Sequence, residues 1–323
     1  MRAGENEMPY DSQSRLAVPS GAALNVYRRE PDGPPRAVVQ INHGLAEHAA
    51  RYARFADHLA RHGIATLAHD HRGHGHTRAP DAPPGVFATG GDGSAKVVAD
   101  VLAVHDHIAA RWPGVPVIVF GHSMGGLIAL NALFSASHRV AGAAIWNANF
   151  SAGLLGRIGQ GLLAWERFRL GSDMPSRIVP KLTFQAWAKQ VPEARTPFDW
   201  LSRDRDEVDA YVADPLCGWD ASVSMWRDVF EMIFAGADDA NLARIRRDLP
   251  ISIVGGEKDP ATDGGKATEQ LAARMRRLGF SRVKSKVYAD TRHESLNEVN
   301  RDAVTADFVA WVEGIVGSRD VHV

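Results

Sequence analysis

The sequence predicts an α/β fold, built on a mostly parallel, eight-stranded sheet with helices on both faces and an inserted helical cap. Short β-type runs, several of them apolar on both faces as buried parallel strands must be, alternate with longer helical patterns. Alternation of this kind implies right-handed βαβ crossovers and a parallel sheet. The alternation then stops for a long stretch in the middle of the chain, which indicates an insertion.

Each element of the sheet has its own signal in the sequence. First, "SRLAVPSGAALNVYRRE" (14–30) places a Pro-Ser-Gly turn between two strand-like runs, which predicts an antiparallel hairpin at the edge of the sheet. The later strand-like runs are "AVVQINH" (37–43), "IATLAHD" (64–70), "VPVIVFG" (115–121), "VAGAAIWN" (140–147), "LPISIVGG" (249–256) and "SRVKSKVYA" (281–289). Helical patterns lie near 48–62, 93–111, 125–137, 264–278 and 300–316.

The segment 150–235 interrupts the alternation and is mostly helical in pattern. We therefore predict a core made of residues 1–149 and 236–323, with residues 150–235 forming a cap over the carboxyl edge of the sheet. An inserted lobe must bury its own core, so aromatic rings in it serve as that core, line an apolar pocket, or do both. The segment holds five of the eight tryptophans: Trp165, Trp187, Trp200, Trp219 and Trp226.

Composition narrows the classes of function and location. A chain of 323 residues, 45% hydrophobic and 23% charged, suits one large domain with an insertion. Its 37 basic and 38 acidic residues nearly balance, so we expect no nucleic-acid partner. The single cysteine, Cys217, excludes a disulfide within the chain. The polar start of the chain, without the apolar core of a signal peptide, favours a cytoplasmic protein. The sequence carries no signal for the oligomeric state.

A candidate nucleophile lies where the apolar run "VIVFGHSMGGLIAL" (117–130) is broken by small residues. The stretch "GHSMG" (121–125) matches G-x-S-x-G, with a buried strand before it and an apolar helix after it. Such a turn forces strained backbone angles on its serine, and the glycines Gly121 and Gly125 avoid collisions with neighbouring backbone. We therefore predict that the turn presents Ser123 as a catalytic nucleophile rather than as part of a structural turn.

The general base and its orienting acid are predicted at two strand ends. A serine hydroxyl is a weak nucleophile and needs both groups. Asp259 follows the run "ISIVGG" and His293 follows the next run, so both are expected at the same sheet edge as Ser123. Serine, acid and histidine also occur in the chain order expected after such a turn. Glu257 and Asp263 are rival acids, and Asp259 is preferred because it lies deepest in a turn stiffened by proline.

Two backbone N–H groups are needed to stabilise the negative oxygen of a tetrahedral intermediate. One is assigned to Met124, directly after the nucleophile. The other is assigned to Leu45, in the loop after "VVQINH", where His43 and Gly44 support a close approach of the backbone. We predict no metal and no cofactor, since acyl-serine catalysis requires neither.

Three further signals have structural explanations. "HDHRGHGH" invites a metal interpretation, but no second ligand cluster with zinc-like spacing accompanies it. Hydrogen-bonded histidines in a glycine-rich loop are therefore preferred. "GGDGSAK" (90–96) fails both glycine-rich phosphate-binding patterns. Cys217 has no base beside it in the sequence and is predicted to be a packed small residue. The histidines of "HDHRGHGH" are His69, His71, His74 and His76.

Five segments carry a resemblance to a known family: "NHGLAEHAARY" (42–52), "DHRGHGHT" (70–77), "GHSMGG" (121–126), "GEKDPATDGGK" (256–266) and "RHESLNE" (292–298). Over residues 15–316 the chain resembles the α/β-hydrolase family of monoacylglycerol lipases and lysophospholipases, also described as serine-aminopeptidase-like hydrolases. The resemblance implies an α/β-hydrolase fold and a cap that closes an acyl-chain pocket. It also implies Ser123 as nucleophile, Asp259 as acid and His293 as base, with Leu45 and Met124 as oxyanion donors.

The expected function is hydrolysis of carboxylic esters with a lipid-like or other apolar acyl group, through an acyl-serine intermediate. The expected substrate is a small molecule of the monoacylglycerol or lysophospholipid type, with transient membrane or micelle contact through the cap. The alternatives are a short-chain carboxylesterase, an amidase or aminopeptidase with the same three residues, and a non-enzymatic ligand receptor on this scaffold. An aminopeptidase would also need an anionic site for the free amine of its substrate.

Overall fold

Alternating strands and helices build one sheet in the computed structural model, which describes residues 10–151 and 153–317. The strands are β1 (Ser12–Ala17), β2 (Ala23–Arg29), β3 (Ala37–Asn42), β4 (Ile64–His69), β5 (Val117–His122), β6 (Gly142–Trp146), β7 (Ile251–Gly256) and β8 (Val283–Tyr288). The helices are α1 (Ala53–Arg61), α2 (Gly93–Arg111), α3 (Met124–Ala136), α4 (Leu154–Leu170), α5 (Val179–Leu182), α6 (Phe184–Ala188), α7 (Arg205–Ala213), α8 (Val223–Gly236), α9 (Asp239–Leu242), α10 (Lys266–Arg277) and α11 (Arg301–Gly317).

The strands follow the order β1-β2-β4-β3-β5-β6-β7-β8 across the sheet. β1 and β2 form an antiparallel hairpin, and β2 runs antiparallel to β4. The remaining neighbours, from β4 to β8, are all parallel. The predicted eight-stranded, mostly parallel sheet and its edge hairpin are therefore confirmed.

Apolar side chains on both faces of the central strands form the core. Strands β3 to β7 are buried along their whole length. Helices α2, α3, α8 and α10 pack on one face, and α1 and α11 pack on the other. On the second face Phe55, Phe120, Trp146 and Phe308 pack ring against ring, with centroids 5.1 to 5.8 Å apart. Each buried side chain of this size stabilises the fold by about 1.5–3 kcal/mol.

The segment 150–235 lies between β6 and β7 and contains α4 to α7 and nearly all of α8. Helix α8 packs on α2 and α3, and its Met225 and Met232 join the apolar cluster that contains Leu127 of α3. The end of the segment therefore contributes to the core beneath it, and the boundary between cap and core at residue 235 stays a prediction.

Two observations bear on location. Among the described helices, none is long and apolar enough to cross a membrane. Residues 1–9, part of the polar start from which a cytoplasmic location was predicted, lie outside the described residues, as do residues 152 and 318–323.

Candidate active site

Ser123 lies in a sharp turn between β5 and α3. Its backbone angles, φ 54° and ψ −119°, are unfavourable for a residue that carries a side chain. A Cβ on Gly121 would lie 2.2 Å from the carbonyl oxygen of Gly125, and a Cβ on Gly125 would lie 2.1 Å from that of Asn42. The N–H of Ser123 donates to the carbonyl oxygen of Trp146 at 2.9 Å. The glycines and this bond hold the serine at the carboxyl edge of the sheet.

His293 bridges Ser123 and Asp259. The Ser123 hydroxyl donates to Nε2 of His293, with Oγ and Nε2 2.9 Å apart. The Nδ1–H of His293 donates to Oδ1 of Asp259, also at 2.9 Å. In this arrangement the imidazole can take the Ser123 proton while the carboxylate stabilises the imidazolium that forms. The structure thus brings together the three residues that were predicted to act together.

Asp259 is completely buried, and several donors hold its carboxylate. Oδ1 accepts from the N–H of Ala261 at 2.9 Å. Oδ2 accepts from the side chains of Asn147 at 3.1 Å and Thr262 at 2.9 Å. Burial raises the pKa of Asp259, but His293 and the two side-chain donors outweigh it and hold the pKa below its ordinary value. The carboxylate is therefore charged at neutral pH.

The rival acids are exposed and have other partners. Glu257 accepts a hydrogen bond from the N–H of Asp290 at 3.0 Å. Asp263 forms an ion pair with Lys266 at 3.1 Å. Of the three acids in this loop, Asp259 is the one that the structure places against the imidazole.

The loop after β3 lies beside Ser123. Leu45 and Ser123 line the same cavity, and Met124 begins α3, whose dipole favours a developing negative charge. Within the described residues, neither the Leu45 N–H nor the Met124 N–H donates a hydrogen bond. The Gly44 N–H is instead engaged by Oε1 of Glu47 at 2.5 Å. Leu45 and Met124 are therefore available as oxyanion donors.

His43 holds this loop in place. Its Nε2 accepts the N–H of His71 at 3.0 Å, so the ring proton lies on Nδ1, which donates to the carbonyl oxygen of Gly44 at 2.8 Å. Burial lowers the pKa of His43 to about 4, which keeps the ring neutral at pH 7. A Cβ on Gly44 would approach Oε1 of Glu47 to 2.6 Å, so a larger residue here would displace the Glu47 carboxylate.

A buried network of charges beside the site was not predicted from the sequence. Arg51 donates to both carboxylate oxygens of Glu294, at 2.6 and 2.7 Å, and to Glu47 at 2.6 Å. The hydroxyl of Tyr52 donates to Glu47 at 2.9 Å. Burial raises the pKa of Glu47, but Arg51 and His122 outweigh it and hold the pKa well below its ordinary value. The available signal was weak, because Glu47 and Arg51 are spaced like an ordinary surface pair.

A narrow cavity lies at Ser123. Its volume is about 30 Å³, which is room for little more than one water molecule. The residues around it are mostly apolar or aromatic. They are Gly44, Leu45, Ala46, Glu47, His122, Ser123, Phe184, Phe198, Trp200, Leu201, Tyr211, Gly218, Trp219, His293 and Glu294.

The tryptophans of the insertion lie in three kinds of environment: at the cavity, inside the insertion and at the surface. Trp200 and Trp219 line the cavity. Trp187 and Trp226 pack against Phe184, with ring centroids 5.4 and 5.5 Å away. The fifth tryptophan lies half-exposed on α4. Both roles expected for these rings, a core of the insertion and a wall of the pocket, are therefore present.

Residues 199–202, which we call the strap, are anchored to the loop that carries His293. Donors from that loop reach carbonyl oxygens along the whole strap. The pairs are His293 N–H to Trp200 (3.4 Å), Glu294 N–H to Leu201 (2.8 Å), and the Arg292 guanidinium to Asp199 (2.6 Å) and Ser202 (3.0 Å). The Trp200 ring also lies against the imidazole of His293, with centroids 5.0 Å apart. The strap therefore fixes the backbone of His293, the predicted general base, a role that the sequence did not indicate.

The histidines of the loop after β4 pack against one another. The ring of His71 lies 4.7 Å from that of His69 and 4.4 Å from that of His43. Burial lowers the pKa of His69 and of His74 to about 3. The predicted hydrogen bonding is present at His74, whose Nδ1 donates to the carbonyl oxygen of Arg72 at 3.1 Å, whereas in the described chain the ring nitrogens of His69 and His71 have no protein partner. Close packing of the rings in the core holds them there instead. His76 is exposed.

Cys217 is buried, but its surroundings differ from the prediction. Nε2 of His48 donates to Asp214 at 2.7 Å, and the ligand-type atoms of these two residues and Cys217 lie within 4.8 Å of one another. The fold, and not the local sequence, brings this histidine to the cysteine. Burial raises the pKa of the Cys217 thiol far above its ordinary value, so the thiol keeps its proton at neutral pH.

Known proteins are similar to this chain in sequence. The family model described as "Serine aminopeptidase, S33" matches residues 33–300. The chain is 29% identical to human monoglyceride lipase over 219 residues, which are 67% of this chain and 63% of that protein, less than two thirds of its length. It is 28% identical to monoacylglycerol lipase of Mycolicibacterium smegmatis over 298 residues, 87% of this chain and 90% of that protein.

A solved structure has the same fold. A thermostable carboxyl esterase from Bacillus coagulans superposes with a TM-score of 0.85 at 22% identity, covering 94% of this chain and 98% of that chain. The sheet order, the sharp turn at Ser123 and the family match over residues 33–300 all agree. The chain therefore belongs to the serine aminopeptidase S33 family and has the α/β-hydrolase fold.

Proposed function

We propose that the protein hydrolyses carboxylic esters with an apolar acyl group through an acyl-serine intermediate. The observation that carries the proposal is the hydrogen-bonded chain of Ser123, His293 and Asp259 beside an apolar cavity. Oγ of Ser123 attacks the ester carbonyl as His293 takes its proton, and the N–H groups of Leu45 and Met124 stabilise the oxyanion. His293 then protonates the departing alcohol, and activates a water molecule that releases the acid.

The charges at the cavity favour an ester over a peptide with a free amine. An aminopeptidase needs a carboxylate that is free to bind the amine of its substrate. The acidic side chains that line the cavity are those of Glu47 and Glu294, and both are already held by Arg51. A cationic substrate would have to compete with that guanidinium.

We also propose a neutral head group, of the monoacylglycerol type, rather than a phosphate. Phosphate groups in proteins are commonly bound by arginine or lysine. Among the described residues that line the cavity, none is a lysine or an arginine. The names of the human and mycobacterial relatives, monoglyceride lipase and monoacylglycerol lipase, support the same choice.

An acyl chain requires the wall of the cavity to move. A cavity of about 30 Å³ is far smaller than the roughly 300–1,000 Å³ of ordinary ligand pockets. The strap is anchored to the loop of His293, so we assign the movement to the aromatic wall outside the strap, which includes Phe184 and Trp219.

We propose that α4 makes transient contact with a lipid surface. Ile158 and Trp165 are each 49% exposed, and Phe168 is 90% exposed. Their spacing of seven and ten residues places them on one side of the helix. Arg167 and Arg169 lie near them in sequence and favour anionic lipid head groups. Binding to phosphatidylserine vesicles that is lost in Phe168→Asp would support this contact, and equal binding by both proteins would contradict it.

We place the protein itself in the cytoplasm, where its one thiol stays reduced.

The decisive experiment combines labelling with a substrate panel. A fluorophosphonate probe should label the wild-type protein and fail to label Ser123→Ala. The panel contains p-nitrophenyl esters, monoacylglycerols, lysophospholipids and aminoacyl anilides. Turnover of monoacylglycerols above the other natural classes is expected. Labelling without turnover would favour a ligand receptor, and a preference for aminoacyl anilides would favour an aminopeptidase.

A further inference from the structure

His122, the residue before the proposed nucleophile, is buried with an acceptor at each of its ring nitrogens. Nδ1 lies 3.4 Å from Oε1 of Glu47, and Nε2 lies 3.1 Å from the carbonyl oxygen of His293. A carboxylate and a carbonyl can only accept hydrogen bonds. A neutral imidazole has one N–H and serves one of them, so both contacts are satisfied only when the ring carries two protons.

The charges around His122 also favour the imidazole with two protons. Glu47 and Glu294 contribute two negative charges to a buried cluster in which Arg51 contributes one positive charge. Buried charges are stable when they are paired, and a cationic His122 completes the pairing. Burial lowers the pKa of His122, but the two carboxylates and the carbonyl of His293 outweigh it and raise the pKa above its ordinary value. Further titratable groups near this cluster are the Tyr52 hydroxyl, bound to Glu47, the imidazole of His293, centred 5.0 Å from that of His122, and His43, which acts on Glu47.

We propose that His122 is a positioning residue which, as an imidazolium, joins the oxyanion loop to the loop of the general base. On one side it contacts Glu47, whose same oxygen accepts the N–H of Gly44 next to Leu45. On the other side it donates to the main chain of His293. Loss of one proton leaves one of these two contacts unmade, so the oxyanion donor and the base are no longer held relative to each other. The inference rests on the proposed ester hydrolysis.

Kinetics against pH test this role. For p-nitrophenyl butyrate, kcat of the wild type should fall at alkaline pH as His122 loses a proton, while KM changes little. His122→Gln has no proton to lose, so its kcat should be roughly tenfold or more lower at neutral pH, the factor for one charge-assisted hydrogen bond, and should show no alkaline fall. His107→Gln, on an exposed part of α2, is the matched control and should keep the wild-type profile. Wild-type kcat with an unchanged alkaline fall in His122→Gln would overturn the proposal.

A spectroscopic measurement decides the charge state without any variant. ¹⁵N spectra of the wild-type histidine side chains, assigned through the backbone, should show both ring nitrogens of His122 protonated at pH 7. A neutral ring at pH 7 would overturn the proposal, whatever the kinetics. If the wild type hydrolyses no ester at any pH, ester hydrolysis itself fails, and this spectrum still decides whether His122 is the imidazolium that joins the two loops.

Discussion

At the scale of single residues, the hydroxyl of Ser123 and the imidazole of His293 share one hydrogen bond. Removing either one leaves the other without a partner, so Ser123→Ala and His293→Ala should each lower kcat by several orders of magnitude. The double variant should be about as slow as either single variant, because nucleophile and base form one unit. Rates with p-nitrophenyl butyrate measure this, with circular dichroism and thermal unfolding as checks on folding. A double variant whose loss equals the product of the two single losses would show that the residues act independently.

The role of Asp259 as the orienting acid is tested by comparison with the two exposed acids of the same loop, Glu257 and Asp263. Asp259→Asn keeps the shape of the side chain but can donate to the imidazole, which favours the wrong tautomer, so kcat should fall by roughly 10⁴-fold. Glu257→Gln and Asp263→Asn are the matched controls, since both side chains have other partners. Near-normal kcat in Asp259→Asn together with a loss in one control would reassign the acid.

At the scale of elements, the aromatic wall of the insertion should set the preference for acyl length. Each methylene that enters an apolar pocket gains about 0.8 kcal/mol, so kcat/KM should rise from acetate to a medium-chain ester and then fall when the pocket is full. Trp219 lines the cavity, so Trp219→Ala should move the optimum to longer chains. Trp165, half-exposed on α4, is the matched control, and its replacement by alanine should leave the optimum in place.

A series of p-nitrophenyl esters measured on these three proteins checks the prediction. A flat or falling wild-type profile would exclude an acyl-chain pocket and indicate a short-chain esterase. An optimum that stays in place in Trp219→Ala would show that this ring only holds the insertion together.

At the scale of the whole molecule, buried histidines should make the protein sensitive to acid. Burial lowers the pKa of His43 to about 4 and the pKa of His69 and His74 to about 3, against about 6.5 in the unfolded chain. Below pH 6.5 the unfolded chain therefore binds more protons than the folded one, and stability decreases as the pH falls. Each ring contributes up to about 1.4 kcal/mol per pH unit between its two pKa values.

Urea unfolding at several pH values between 8 and 5 measures this slope. His69→Phe fills a similar volume without a titratable group. The dependence of its unfolding free energy on pH should therefore be weaker by the contribution of one proton, up to about 1.4 kcal/mol per pH unit. Asp259 lowers the unfolding free energy only at lower pH. Its pKa is already low when the chain is unfolded, so the unfolded chain binds a proton there only in more acidic solution. An unfolding free energy that stays constant from pH 7 to pH 5 would contradict the burial of neutral rings.

Much of the fold and the centre of the site could be predicted because their signals are local. Apolar strand runs, and the glycines around Ser123, are properties of short stretches, and parallel strands bring their carboxyl ends to one edge. That rule, together with the chain order of serine, acid and histidine, predicted that Asp259 and His293 lie near Ser123. The contacts of the strap with His293 could not be predicted, since they join residues that lie about ninety positions apart and use backbone groups that every residue has.

The sequence by itself determined the order of the strands along the chain, and it predicted the insertion and the joint action of Ser123, Asp259 and His293. Only the tertiary structure decided which charged residues are buried. Glu47, Arg51 and Glu294 are of residue types that usually lie at the surface. Glu47 and Glu294 are buried here, and Arg51 is largely covered, because distant elements close over them. The small volume of the cavity was likewise decided by how the rings of the insertion pack. Burial and volume arise from contacts between distant segments, and no local pattern of residues encodes them.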